Sequence, residues 1–280
     1  MTKDIDFGEI IIDGIPEKSA DATRIMSFNL RYRDDEEGSV KNRSVISAAI
    51  IRQYAPDTVG VQEATGEWMS VLSDKLKNYA CVGEHRDENP NSEHSAVFYL
   101  KDKFTFLDSG TIWLSDTPEV KYTKYKESAC TRIATWVVLE NKKTGLKYAH
   151  INTHLDHMSD SSRALQTEVL KGKIAELEKA GFPVVCTGDF NAEPESEAYA
   201  KMTVSANDSR KVAFKSDEGI TFHGYGKVKE GSVGPIDYAF VSKDVKVEAY
   251  RIIRNTVKGM YPSDHYPIMV DVVFGTKITK

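Results

Sequence analysis

Short apolar runs of strand length recur along the whole chain and outnumber the amphipathic helices between them. Residues 24–30, 58–61, 96–100, 133–139, 147–154, 184–187, 236–241, 247–254 and 266–274 read this way. Val45, Ile46, Ala49 and Ile50 at helical spacing predict a helix over 40–54, stopped by Pro56. A second helix carries Trp68, Val71, Leu72 and Leu76. The clearest helix spans 161–179, with a serine at its start, Leu170, Ile174 and Leu177 on one face, and Gly181 just past its end. Strands and helices do not alternate strictly. Sheets packed face to face with helices outside therefore fit better than a doubly wound sheet. Neither a G-x-G-x-x-G fingerprint nor a P-loop is present.

At 280 residues and 40% hydrophobic content, the chain can bury one large core. We expect one domain over 23–280, preceded by a polar segment, 1–22, that is a tail or an added edge strand. Lys and Arg number 37 against 42 acids, a net charge of −5, which weighs against tight non-specific binding to duplex nucleic acid. It leaves room for a small phosphorylated substrate at a local site. Cys81, Cys130 and Cys186 are odd in number and form no C-x-x-C, so neither a disulfide framework nor a zinc site is indicated. No stretch is long and apolar enough to span a membrane, and the run at 10–12 has acids around it, unlike a signal peptide. The expectation is a soluble, cytoplasmic monomer, unless an export signal has been removed.

In the stretch from Pro183 to Asn191 a buried run, Val184-Val185-Cys186, leads through Gly188 to Asp189-Phe190-Asn191. The glycine reads as a sharp turn at the strand end. Strand alternation would point Asp189 and Asn191 the same way and Phe190 into the core. A carboxylate beside an amide can hold an attacking water and steady an oxyanion. The same residues can equally form an Asx turn.

The other predicted strands also end in polar residues of this kind: Asn29, Glu63, His154 with Asp156 and His157 beyond it, then Asp237 and Asp264-His265. Carboxylates and an amide without thiolates suit a hard cation, Mg2+ or Mn2+. Glu63 with Asn29 fits a sparse site of that sort. His265 beside an acid such as Asp237 suits a histidine held protonated or oriented against a phosphate.

The ordered series Ser27-Phe28-Asn29, Val61-Gln62-Glu63, Asn152-Thr153-His154, Gly188-Asp189-Phe190-Asn191, Ile236-Asp237-Tyr238 and Ser263-Asp264-His265 resembles the endonuclease/exonuclease/phosphatase superfamily. The resemblance runs from Arg24 to about Val273. It implies an α/β four-layered sandwich, two mixed β-sheets face to face with α-helices outside and the site at one edge. It also implies a Mg2+- or Mn2+-dependent phosphoesterase using in-line attack of an activated water. By position, Glu63 would be the main metal ligand, with Asn29 at the metal site or on the phosphate, and Asp264 serving the metal site or orienting its neighbours. Asp189 would orient or deprotonate the water, and His154 and Asn191 would donate to phosphate oxygens. His265, oriented by Asp237, would contact the scissile phosphate. One departure stands out: where abasic-site endonucleases carry an acid two residues after the first asparagine, this chain has Arg31. A small phosphomonoester or phosphodiester is therefore the expected substrate. A nuclease acting on DNA or RNA is the alternative, and a catalytically silent binding module of the same fold is a second one.

Signals for substrate contacts are thinner. Arg132 starts a strand and reads as a bidentate phosphate clamp or a structural salt bridge. Asp156 and His157 would line the pocket or cap the next helix. The run Lys121-Tyr122-Thr123-Lys124-Tyr125-Lys126 reads as a solvated loop or as a clamp for a phosphorylated ligand, and the loop at 221–234 as a mobile rim.

Overall fold

The structure is a computed structural model describing residues 4–36 and 38–275. In chain order its elements are β1 (Thr23–Asn29), α1 (Val40–Tyr54), β2 (Thr58–Ala64), α2 (Gly66–Lys75), β3 (Tyr79–Val82), β4 (His94–Leu100), β5 (Phe104–Trp113), β6 (Ile133–Asn141) and β7 (Lys147–His154). There follow α3 (Asp160–Lys179), β8 (Val184–Asp189), α4 (Glu197–Ser205), β9 (Asn207–Asp208), α5 (Ser209–Val212), β10 (Lys215–Ser216), β11 (Asp237–Val241), β12 (Lys246–Ile252) and β13 (Ile268–Val273). A seven-stranded sheet has the order β10-β12-β13-β1-β2-β4-β3, and a six-stranded sheet the order β5-β6-β7-β8-β11-β9. Both are mixed: β1 runs parallel to β2 and antiparallel to β13, and β7 runs parallel to β8 and antiparallel to β6.

Strand alternation divides the buried side chains into layers. In β1, Met26 and Phe28 pack outward on α1 and α2, while Ile25 packs inward on the other sheet. In β8, Val184 and Cys186 pack on the α3 and α4 side and Val185 packs inward. The result is the expected four-layered sandwich. Helix α1 begins at Ser39, whose hydroxyl accepts from the Asn42 N–H at 3.2 Å, and ends at Ala55 in a left-handed conformation before Pro56. Helix α3 starts slightly earlier than its spacing predicts, because Ser159 is the residue that caps it.

The face between the sheets changes character along the strands. Ile25, Val185 and Ala239 form apolar core, and one pleat further on come Ser27, Thr187 and Asp237. Asn152 is the junction. Its Nδ2 donates to the carbonyls of Val61 (2.8 Å) and Ala96 (3.0 Å) on the opposite sheet. Its Oδ1 accepts from Gln62 Nε2 (2.7 Å) and Thr187 Oγ1 (3.1 Å). This buried amide uses all its capacity and fixes the register of one sheet on the other. Gly60 makes the approach feasible, since a Cβ there would lie 2.4 Å from Asn152 Oδ1.

The structure corrects or refines the local reading at three points. Gly188 lies inside β8 rather than at a turn; it is required because a Cβ would sit 2.4 Å from the Thr153 carbonyl oxygen of β7. Strand β5, unpredicted, is an edge strand with a register shift between Phe106 and Asp108. Residues 4–22 add no strand to either sheet: Phe7 and Ile12 are buried beside α1, with the Ile12 N–H donating to Gln53 Oε1.

Candidate active site

The predicted polar residues converge at one end of the sandwich. Asp189 pairs in register with His154 on one side and Asp237 on the other, so strands β7, β8 and β11 present the three as one row. Asp189 is 1% exposed. Its Oδ2 accepts from Asn29 Nδ2 at 2.9 Å and lies 3.5 Å from His154 Nε2 and 3.7 Å from His265 Nε2. His265 Nδ1 is 2.9 Å from Asp237 Oδ2. Burial, and then the nearby Asp237, push the Asp189 carboxyl up to about 7, against the pull of His265. Burial disfavours a charged His265, yet Asp237, Asp189 and Asp264 outweigh it and push its pKa up to about 10. At neutral pH the row thus holds a carboxyl poised to exchange a proton beside an imidazolium.

Glu63 occupies a register shift between β2 and β4, with a left-handed φ of 58°. The bulge turns its carboxylate toward Asn29, whose Nδ2 is 3.1 Å from Glu63 Oε1. Asn29 therefore bridges Glu63 and Asp189 through its amide N–H groups, and its Oδ1 accepts from the Arg31 N–H at 3.0 Å. That is the arrangement of a residue that positions two carboxylates; its Oδ1 keeps one lone pair beyond the bond from Arg31. Asp264 faces Glu63 across Arg31, whose Nε lies 3.7 Å from Asp264 Oδ2. Burial raises the Asp264 pKa; His265 and Arg31 oppose the rise, and the negative field of Glu63 adds to it. Among the described residues, two groups have ligand atoms within 4.8 Å of one another: Asp189, Asp237 and His265 in this row, and Cys130, Asp156 and His157 beside it.

Asn191 reaches the site by a turn rather than by strand alternation. With φ 48°, its N–H donates to Asp189 Oδ1 at 2.9 Å, which is the Asx turn weighed above. Its Nδ2 donates to the Leu155 carbonyl (3.1 Å) and toward His154 Nε2 (2.9 Å). The neutral His154 ring therefore accepts at Nε2 and carries its proton on Nδ1. Burial, Arg132 and Arg86 hold its pKa well below the usual range.

Asp156 does not line the site. It is fully buried, and its carboxylate accepts from the N–H groups of Ala129, Met158 and Ser159, bracing the turn into α3. His157 is exposed, with Nδ1 3.1 Å from Arg132 Nη2. Arg132 is 4% exposed and makes no ion pair among the described residues. The Lys/Tyr run folds onto the body, with Tyr125 buried and Lys124 donating to the Ser128 carbonyl. The 221–234 rim is anchored at its start: the His223 and Gly224 N–H groups both donate to the Asp264 carbonyl, and Tyr225 donates to Asp35.

The sequence profile of the Endonuclease/Exonuclease/phosphatase family matches residues 26–265. The chain belongs to that family. A family member from Bacteroides vulgatus has a crystal structure that superposes with a TM-score of 0.85 at 29% identity, covering 91% of this chain and 99% of that one. A mannosyl-6-phosphatase from Bacteroides thetaiotaomicron superposes at 0.82 with 28% identity, covering 90% of this chain and all (100%) of its own. Nocturnin of Xenopus laevis is 25% identical over 252 residues, 80% of this chain and 62% of its own length. The chain thus spans less than two thirds of that curated relative. Two residues near the family's motif positions were not anticipated from the sequence, Arg86 and Glu93. They lie on the hairpin between β3 and β4, pair at 2.7 Å, and no local pattern announces their proximity to His154.

Proposed function

We propose that this protein hydrolyses a small phosphate ester, with a phosphorylated sugar as the favoured substrate, by in-line attack of water. The observation carrying this is the Asp189–His265–Asp237 arrangement: a carboxyl poised near 7 next to an imidazolium held by a second acid. In this reading Asp189 takes the proton from the attacking water as its oxygen closes on phosphorus. His265, kept charged by Asp237, meets the negative charge gathering on the non-bridging oxygens. Asn29 holds Asp189 and Glu63 in mutual register. Asn191 fixes the His154 tautomer, and Arg132 supplies a further guanidinium for the phosphate.

Glu63 and Asp264 would hold a divalent ion. Their donor atoms are carboxylate oxygens without thiolate, the chemistry a hard cation prefers; burial and then the field of Glu63 raise the Asp264 pKa, while His265 and Arg31 oppose the rise. A bound Mg2+ or Mn2+ would supply Lewis-acid stabilisation of the phosphate and leaving oxygen. The sugar phosphate is favoured because one neighbour, superposing over 90% of this chain at 28% identity, is a mannosyl-6-phosphatase. The test is a hydrolysis screen with Mg2+, Mn2+ or excess chelator. It would set hexose 6-phosphates beside aryl phosphomonoesters and diesters, single-stranded nucleic acid and plasmid DNA. The proposal expects metal-dependent release of phosphate from the hexose esters; turnover confined to nucleic acid would overturn it.

A further inference from the structure

Beside His154 lies a cavity of about 10 Å³, lined by Arg86, Glu93, Ser95, Arg132 and His154 among others. Three buried nitrogens of these residues have no hydrogen-bond partner: Arg132 Nε, His154 Nδ1 and Arg86 Nε, the last with Asp87 Oδ2 3.8 Å away. Arg132 and His154 are 4% and 6% exposed. A buried donor calls for an acceptor, because leaving it unpaired is costly. All three nitrogens are donors, because Asn191 fixes the His154 proton on Nδ1. An acceptor is at hand as well: Glu93, whose Oε2 takes one bond from Arg86 Nη1 at 2.7 Å.

The hairpin carrying Arg86 and Glu93 is rigid. The Arg86 N–H donates to the Glu93 carbonyl at 3.0 Å, and Trp113 Nε1 donates to the Arg86 carbonyl at 2.8 Å. Tyr122 packs edge-on to Trp113 and parallel to His85, which secures the neighbouring loop on this hairpin.

The space admits about one oxygen atom. Converging N–H donors with a carboxylate acceptor match a hydroxyl, which has two lone pairs and one proton. A hydroxyl can also give its proton to Glu93, which an oxygen carrying no proton cannot do. We infer that Arg86, Glu93, Arg132 and His154 Nδ1 form a subsite for a hydroxyl of a polyol substrate, held next to the phosphate site. This rests on the phosphoesterase reading and narrows it to phosphorylated sugars and related polyols. Arg86 and Glu93 are then specificity residues that touch the sugar and not the phosphate.

The experiment is calorimetry in the Asp189→Asn protein with Mg2+ present, so that bound ester is not consumed. Mannose 6-phosphate is compared with ethyl phosphate, and each titration is repeated with Arg86→Gln or Glu93→Gln added. Mannose 6-phosphate should bind about tenfold more tightly or better, as one charge-assisted hydrogen bond provides. Either added substitution should erase that advantage and leave ethyl phosphate binding unchanged. Equal affinity for the two esters, equal loss for both in the variants, or no binding of either would overturn the subsite. Turnover of both esters by the wild-type protein, measured in parallel, reads the proposed reaction separately. Failure of turnover with the binding contrast intact would refute the reaction and support the subsite.

Discussion

Asp189→Asn should silence the protein and stabilise it, and the stabilisation should depend on pH in a defined way. A carboxyl that titrates at 3.8 when free and at about 7 when folded is harder to ionise in the native state. Relative to the ionised form, its contribution to stability is full below 3.8 and is lost as pH rises through about 7. From these two values the carboxylate destabilises the fold by about 4 kcal/mol at pH 8 and about 2 kcal/mol at pH 5. Asparagine removes that penalty at both pH values. It also sets an amide N–H against either Asn29 Nδ2 or the Asn191 N–H, a mismatch costing about 1–2 kcal/mol at either pH. The mismatch cancels between the two conditions. The gain from Asp189→Asn should therefore be about 2.5 kcal/mol larger at pH 8 than at pH 5. Urea unfolding followed by circular dichroism, in chelator, measures it. Single-turnover hydrolysis with Mg2+ should fall at least about a hundredfold, the low end for a lost general base. An unfolding difference that does not change with pH would refute the electrostatic reasoning, and near wild-type turnover would remove Asp189 from the reaction.

Other expectations follow from the same geometry. Asp237→Asn removes the negative charge 2.9 Å from His265 Nδ1, so the His265 pKa should fall from about 10 and the alkaline limb of activity should move to lower pH. The stability linked to that pair is present below about 6.5 and lost through 10, and an NMR titration of the ring with no shift would contradict it. Asn152→Ala leaves buried partners on both sheets unpaired and should cost about 3 kcal/mol in urea unfolding; a loss below 1 kcal/mol would deny its role as the staple. Glu63→Ala should raise the half-saturating Mg2+ concentration about tenfold or more without unfolding the protein, and an unchanged metal requirement would remove Glu63 from the metal site. Plasmid DNA should be nicked poorly at physiological salt, given a net charge of −5; efficient nicking would favour the nuclease alternative.

The sequence announced the interior well because alternation is local. Helix α1 and strand β7 fall where spacing put them, and the inward row His154, Asp189 and Asp237 follows from strand ends that share a register. Strand β5 was illegible because an edge strand with exposed Phe106 and Leu107 and a bulge carries no clean period. Helix α4 buries only Ala198 and Met202, too few to mark a face. Asp156 read equally as a pocket residue or as a cap, because a carboxylate after a strand end looks the same whether it meets ligand or backbone N–H groups; it meets the N–H groups. Asn191 was placed on the right side for the wrong reason, since a left-handed turn does the work that alternation was expected to do. Arg86 and Glu93 were invisible: their meeting with His154 depends on how one sheet's hairpin closes over the other sheet, and no spacing encodes that.

The most direct test of the central claim is hydrolysis of mannose 6-phosphate by the wild-type protein in 18O-labelled water, with Mg2+ present and then with excess chelator. Attack of an activated water on phosphorus predicts one labelled oxygen in each phosphate released, none in the sugar, and loss of turnover in chelator. Label in the sugar, or undiminished turnover in chelator, would contradict the account.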